Sequence, residues 1–294
     1  MPTILITGAG GQLGQELQTL SNHYPRWTFL APTRQELDIT DQVALPAFFA
    51  KHQPDYCLNT AAYTAVDKAE TEQELAYAIN AQAAAAIARL CQTHDTQLIH
   101  YSTDYAYKGD YNRPLLEDDA TLGDGIYAKS KLQGDQMVLQ ELPAAMVIRT
   151  SWVYSSFGHN FVKTMLRLGQ QRDALSVVFD QIGTPTYAYD LAAASLKIIE
   201  KIESGTVNKE DASGIFHYSN EGVCSWYDFA IRIFELSGIQ CTVSPIESKD
   251  YPTPASRPHY SVLNKAKIKN TFELSIPHWQ DGLERCLKKL GKER

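Results

Sequence analysis

In the stretch "DGIYAKSKLQGD" a tyrosine and a lysine stand four residues apart, Tyr127 and Lys131. On a helix this spacing puts both side chains on one face, a turn apart. A phenol with a pKa of about 10 is a poor acid–base group at neutral pH. An ammonium beside it stabilises the phenolate, which predicts a lowered phenol pKa and proton exchange at a useful rate. Of the 16 tyrosines in the chain, only Tyr127 has a lysine at that offset. Upstream, an apolar run ends in "HYSTDYAY", placing Thr103 at the C-terminal end of an expected strand. Ligands of open α/β sheets bind at such ends, and the Thr103 hydroxyl can hydrogen-bond a carbonyl or the alkoxide formed from it. The plainer reading makes Ser102 and Thr103 caps of the following loop.

A second signature lies near the N-terminus. In "ILITGAGGQLGQEL", Gly8, Gly11 and Gly14 form G-x-x-G-x-x-G between an apolar strand and a helical pattern. Glycine tolerates positive φ and lets a backbone approach a ligand closely. The helix N-terminus behind it offers free N–H groups and a positive dipole end, suited to a diphosphate. The last glycine lets helix and strand lie close. Strand, turn and helix together point to a dinucleotide, although a glycine trio also makes a purely structural turn. After the second expected strand the chain reads "FLAPTRQELDIT". Arg34 there favours a ribose 2′-phosphate, hence NADPH with NADH still possible, or is simply a solvated charge. Asp38 and Ile39 are placed to border the adenine.

These groups need a scaffold. Short apolar runs at Thr3–Thr7, Trp27–Ala31, Tyr56–Asn59, Gln97–Ser102 and Ala145–Thr150 alternate with helical patterns at Gln12–Leu20, Gln42–Lys51, Glu74–His94 and Ile126–Glu141. Strands without polar alternation, separated by helices, predict a parallel sheet buried on both faces: an α/β, doubly wound Rossmann fold. The pattern loosens after Ser155, so a smaller, interleaved substrate-binding domain is expected. Residues 1–154, with 185–220 rejoining, form the dinucleotide-binding part, and 155–184 with 221–294 mostly the substrate-binding part.

Composition narrows the function. The 294 residues carry a formal net charge of −7, so no basic field favours nucleic acid or an anionic membrane. No run of about 18 apolar residues is present to span a bilayer. The start of the chain leaves no room for a signal peptide. Cys57, Cys91, Cys224, Cys241 and Cys286 are scattered and never form C-x-x-C, which suits reduced thiols in a cytoplasm.

With "NTAAYTAVDKAE", "STDYAY", "IRTSWVY", "DQIGTPTYAYDLA" and "YPTPASRPHYSVL" added to these motifs, the chain resembles the extended short-chain dehydrogenase/reductases, and among them the dTDP-4-dehydrorhamnose reductases, nearly end to end. The resemblance implies NAD(P)H-dependent reduction of the C4 ketone of a dTDP-4-dehydro-sugar to dTDP-rhamnose, for surface polysaccharide. It makes Tyr127 the proton donor, with Lys131 lowering its pKa and holding the nicotinamide ribose. Thr103 and Asp104 contact the sugar, and Trp152 walls its pocket unless it is only a core aromatic. Gly11, Gln12 and Leu13 border the diphosphate, and Asp38, Ile39, Ala61, Ala62, Tyr63 and Tyr101 continue the cofactor cleft. Arg257 either forks onto the substrate diphosphate or closes a structural ion pair.

Two departures stand out. Ala128 replaces the glycine usual after the tyrosine, and Asp124-Gly125 stands where a Pro-x-Asn pattern is common, which predicts an intact helix and a reshaped pocket rim. Some family members dimerise around Mg²⁺ held by carboxylates. Glu16 and Asp190 are acidic at suitable places but read as solvated charges, so no metal is assigned and monomer or homodimer stays open. The same scaffold serves epimerases and dehydratases, yet dehydratases use Thr-Asp-Glu where this chain has Thr103-Asp104-Tyr105. A relative acts as a regulatory subunit of methionine adenosyltransferase, a role with no use for a tuned phenol.

Overall fold

Apolar runs with no polar alternation are unsuited to an exposed sheet face. In the computed structural model, which describes residues 1–108 and 111–292, they lie side by side in one parallel sheet. Its strands are β1 (Thr3–Thr7), β2 (Thr28–Leu30), β3 (Tyr56–Asn59), β4 (Gln97–Thr103) and β5 (Met146–Thr150). The order is β2-β1-β3-β4-β5, and a sixth strand, Gly214–His217, pairs parallel to β5. The chain thus runs outward from β1 to β2 and then returns to β3 on the other side of β1. That reversal opens a crevice at the C-terminal ends of β1 and β3, the general ligand position of open α/β sheets.

The period-2 alternation of each strand feeds two cores. Ile4, Ile6, Leu58 and Ile148 pack with Leu17 of α1 (Gln12–Ser21) and Leu196 of α8 (Ala188–Glu203). Leu5, Cys57, Leu98 and Val147 pack on the other face with Phe49 of α2 (Ala44–His52) and Ile87 of α5 (Ala84–Thr93). The expected helix over Glu74–His94 is interrupted. A short α4 (Gln73–Tyr77) passes through a π-helical stretch, Ala78–Ala83, before α5 resumes, and α3 (Val66–Ala69) precedes it. The wide π turn turns Asn80 inward: its Oδ1 accepts from Tyr63 N at 2.8 Å and its Nδ2 donates to Ser130 Oγ at 3.0 Å. Ser130 lies on α6 (Gly125–Glu141), the helix that carries Tyr127 and Lys131.

After Thr150 a third core forms around Tyr154, Val162, Phe229, Ile233, Trp279 and Leu283. It draws on α7 (Phe161–Gly169), α9 (Trp226–Ser237) and α11 (Trp279–Lys292), while α10 (Ala266–Phe272) packs back on the sheet core through Phe272. Glu16 and Asp190 correct the expectation of solvated carboxylates, for they are 0% and 5% exposed. The amphipathic α11 brings Lys289 to 3.0 Å from Glu16, and Arg285 grips both oxygens of Asp190 at 2.7 Å. A carboxylate taken out of water needs such a partner. Both pairs therefore tie α11 to the helices α1 and α8 that flank the sheet.

One contact fixes how α6 sits. Gly134 lies so close to the π turn that an added Cβ would be 2.0 Å from the Asn80 carbonyl oxygen. A backbone atom cannot swing aside, so Gly134→Ala should destabilise the fold by roughly 3 kcal/mol or more, the upper end for overpacking. The urea midpoint measures this, and an unchanged midpoint would contradict so tight a contact.

Candidate active site

The glycine turn sits at the β1–β3 crevice, and much of its glycine requirement comes from the protein itself. Gly8 has φ +67°, and an added Cβ there would lie 2.6 Å from Ala61 N. An added Cβ at Gly14 would lie 2.5 Å from Gly8 O, so the first turn of α1 rests on the loop. Gly11 N closes the turn onto Gly8 O at 2.9 Å. What remains unfilled is the helix end. No side chain caps α1 at Gly11, so the N–H groups of its first turn lack intrahelical partners and face a cavity wall. That seat suits a diphosphate.

Two cavities meet there. One, of about 310 Å³, is bounded by Gly8, Gly11, Arg34, Asp38, Ile39, Thr60, Ala61 and Ala62. The other, of about 610 Å³, shares Gly11, Thr60 and Ala62 with it, includes Gln12 and Leu13, and extends to Thr103, Asp104, Tyr127, Lys131 and Trp152. At the small end Asp38 is held below the usual carboxylate range, chiefly by hydrogen bonds from Thr40 at 2.7 and 2.9 Å. Arg34 is 3.5 Å from Asp38 with its side chain 75% exposed, a weak pairing that leaves the guanidinium available to an incoming group. The α1 terminus thus lies where the two cavities join, and Arg34 borders the smaller one.

At the inner end Lys131 is 2% exposed. Its Nζ donates to Tyr101 O at 2.7 Å and meets His100 Nε2 at 3.4 Å. Burial pulls its pKa down to about 8, and the carboxylate of Asp135 opposes that pull. Thr103 beside the Tyr127 phenol favours its ionised form, yet burial pushes the phenol up to about 12, with Asp104 and Asp135 adding to the rise. The phenol is thus not lowered as the Tyr–Lys spacing predicts. The Lys131 ammonium is committed to the Tyr101 carbonyl, and burial favours the protonated phenol in the ligand-free site.

Thr103 caps the following turn and also lines the larger cavity. Its Oγ1 accepts from Tyr105 N at 3.2 Å, capping the turn Asp104–Ala106, and it borders the cavity beside the phenol. Asp104 is buried, raised by that burial to about 7, and its Oδ2 has no hydrogen-bond partner. Trp152 adopts φ +48° and stacks on Trp226 with ring centroids 3.6 Å apart and planes 9° apart. Gly183 makes room, since an added Cβ would lie 2.6 Å from the Trp152 ring.

Other expected residues lie elsewhere. Tyr63 turns away from both cavities and donates its hydroxyl to Glu72 at 2.7 Å. Tyr101 does border the larger cavity, while its ring packs in the sheet core with its hydroxyl on Ser195 at 2.7 Å and its carbonyl takes the Lys131 ammonium. Arg257 closes the structural pair: its Nη1 and Nη2 fork onto Asp67 at 3.1 and 2.8 Å. Trp226 and His159, which line the larger cavity, were not signalled by any motif. Trp226 opens α9 behind a Ser225/Asp228 capping box, a local cue to its position but not to its role. Among the described residues no group of three or more His, Cys, Asp or Glu side chains is placed to hold a metal, and no helix is long and apolar enough to cross a membrane.

Known proteins resemble this chain in sequence and in fold. Residues 2–292 match the family model described as the RmlD substrate binding domain. A dTDP-4-dehydrorhamnose reductase of Aggregatibacter actinomycetemcomitans is 40% identical over 290 residues, covering 97% of this chain and 98% of that one. The crystal structure of a dTDP-4-dehydrorhamnose reductase from Clostridium acetobutylicum superposes with a TM-score of 0.92 at 39% identity, covering 98% and 99% of the two chains. Another, from Bacillus anthracis in complex with NADP, gives 0.91 at 37% identity with the same coverage. With glycine turn, buried lysine and phenol in one crevice and the match running nearly end to end, the chain belongs to the RmlD substrate binding domain family.

Proposed function

We propose that this protein reduces the C4 ketone of dTDP-4-dehydro-β-L-rhamnose with NADPH, giving dTDP-β-L-rhamnose for surface polysaccharide. The observation that carries this is the juxtaposition of Thr103, Tyr127 and Lys131 at the inner end of the cavity that begins at the α1 N-terminus. Four of the five cysteines are buried as thiols, which suits a reducing compartment, and we place the reaction in the cytoplasm. Residues 1–154 with 185–220 take the dinucleotide, and 155–184 with 221–294 take most of the sugar nucleotide.

In this reading the α1 N–H groups and Gln12 seat the cofactor diphosphate, and Arg34 meets the adenosine ribose phosphate. When bound, the nicotinamide supplies a hydride to C4. The carbonyl oxygen gains negative charge, and Tyr127 and Thr103 donate hydrogen bonds to it. Tyr127 then delivers its proton to that oxygen, leaving a phenolate that the Lys131 ammonium stabilises. Asp104, with its unpartnered oxygen, holds a sugar hydroxyl, and Trp152 backed by Trp226 supports the sugar face. Tyr105 stands edge-on to Tyr127, 5.7 Å between ring centroids. Burial raises its phenol above the ordinary value, so it is no base for elimination from the sugar, which sets this site apart from a dehydratase.

Two outcomes test the reading. Tyr127→Phe should keep the fold and NADPH affinity while lowering kcat by about 100-fold or more, the usual range for a lost general acid. This is followed by loss of NADPH absorbance with the keto sugar, and turnover near wild type would sink the assignment. Arg34→Ala should weaken NADPH binding by roughly tenfold, on the order of one charge-assisted hydrogen bond, and leave NADH binding unchanged. Fluorescence titration of both cofactors reads this, and an equal loss for each would show that Arg34 does not meet the 2′-phosphate.

A further inference from the structure

Behind the Tyr127–Lys131 face a row of buried charged groups crosses the core, outside both cavities. Asp135 stands one turn after Lys131 on α6 and is 1% exposed. Its Oδ2 accepts from Arg149 Nε at 3.0 Å, and Arg149, on β5, is itself 2% exposed. Arg149 Nη1 donates to the Tyr107 hydroxyl at 2.8 Å, and that hydroxyl bonds His217 Nε2 at 2.5 Å. The other oxygen of Asp135, Oδ1, has no hydrogen-bond partner among the described residues. It lies 4.0 Å from His100 Nε2, the atom that meets Lys131 Nζ.

A carboxylate needed only to neutralise Arg149 gains nothing from leaving one oxygen bare in the core, since an unmet buried acceptor is destabilising. Here the bare oxygen faces the His100–Lys131 pair. The other groups around α6 offer Lys131 no negative charge so disposed. From β4 come the His100 imidazole and the Tyr101 carbonyl, and from the π turn the Asn80 amide. From β5 comes Arg149, and from the Gly214–His217 strand His217, whose backbone N donates to Glu117. Asp104 and Tyr105 face Tyr127, and Glu70 is taken by the Ile126 N–H at 2.8 Å.

We propose that Asp135 is a positioning residue for the reductase reaction: its free oxygen keeps Lys131 charged in the dry interior, while Arg149 fixes the orientation of the carboxylate. The inference rests on the catalytic reading above. It agrees with the balance at Lys131, where burial lowers the pKa to about 8 and Asp135 opposes it. The sign follows. Turnover needs the ammonium, so activity falls as pH rises through the lysine pKa, and removing Asp135 moves that fall to lower pH.

The test compares wild type, Asp135→Asn and the double variant Asp135→Asn/Arg149→Met in two measurements. One is kcat against pH with NADPH and the keto sugar; the other is the Nζ titration of Lys131 by NMR in the cofactor-free protein. Both variants should show the alkaline fall and the Nζ midpoint lowered by about one unit or more, a change of roughly tenfold in the charged fraction. Asp135→Asn strands the Arg149 charge and should lower the melting temperature, whereas the double variant removes both charges and should recover it. If the double variant is folded and keeps the wild-type limb and midpoint, Asp135 merely neutralises Arg149 and the proposal is overturned. A folded wild type that does not turn over this sugar would instead overturn the catalytic reading, while the Nζ titration still decides the role of Asp135.

Discussion

The ammonium of Lys131, buried in a sheet-and-helix core, sets the main constraint on this structure. A charge removed from water is tolerated only with partners around it. The surroundings are accordingly polar where a Rossmann interior is otherwise aliphatic. Tyr101 contributes a carbonyl at 2.7 Å and His100 a ring nitrogen at 3.4 Å. His100 is in turn fixed by Asn59 at 3.0 Å, and Asn59 by Thr7 at 2.7 Å. Three adjacent strands, β1, β3 and β4, therefore each give up an apolar position to support one lysine. On the other flank Arg149, Asp135 and Tyr107 do the same for the helix that carries it.

That helix must be placed to within a fraction of an ångström, and the means is close packing rather than further charge. Gly134 lets α6 touch the π turn, and Asn80 binds both Ser130 on α6 and the Tyr63 backbone at the crevice edge. The same turn therefore ties α6 to the segment that follows Ala61 and Ala62 at the smaller cavity. On the sugar side an aromatic stack has the comparable task. Trp152 is held in a left-handed backbone conformation, which costs on the order of 1 kcal/mol or more for a bulky residue. It stays there because Trp226 stacks on its ring and Gly183 leaves room for it.

How much of this was legible in the sequence depends on how local each cause is. The strands were legible because a parallel strand buried on both faces is a bare apolar run. Predicted Thr3–Thr7 and Tyr56–Asn59 match the observed β1 and β3 residue for residue. The glycine turn and the Tyr127–Lys131 pair were legible because strand–turn–helix context and helical spacing are local facts. The π turn was not, since "AINAQAAAAIARLCQTH" reads as an ordinary alanine-rich helix and only contact with Gly134 and Ser130 reveals why it widens. Glu16 and Asp190 were misread for a similar reason. Their partners, Lys289 and Arg285, lie at the far end of the chain. Trp226 and the Arg257–Asp67 pair likewise depend on contacts between distant segments.

The pKa pattern at the site reverses the simplest account of a tyrosine–lysine pair, and the reversal has a mechanistic meaning. If the ammonium pulled the phenol down toward neutrality, the protein without ligand would hold a partly ionised tyrosine, able to accept a proton as readily as to give one. Burial instead separates the two groups in opposite directions, the phenol up to about 12 and the lysine down to about 8. In the proposed reaction the phenol enters each cycle protonated, as reduction requires, and the ammonium, not the phenol, is the first of the pair to lose its proton as pH rises. Stabilisation of the phenolate is then needed only after the proton has left, when a negative charge appears at Tyr127, one turn of α6 from Lys131. An interaction that strengthens as charge develops acts on the transition state more than on the bound ground state, which is how a lysine with little hold on the resting phenol still contributes to its chemistry.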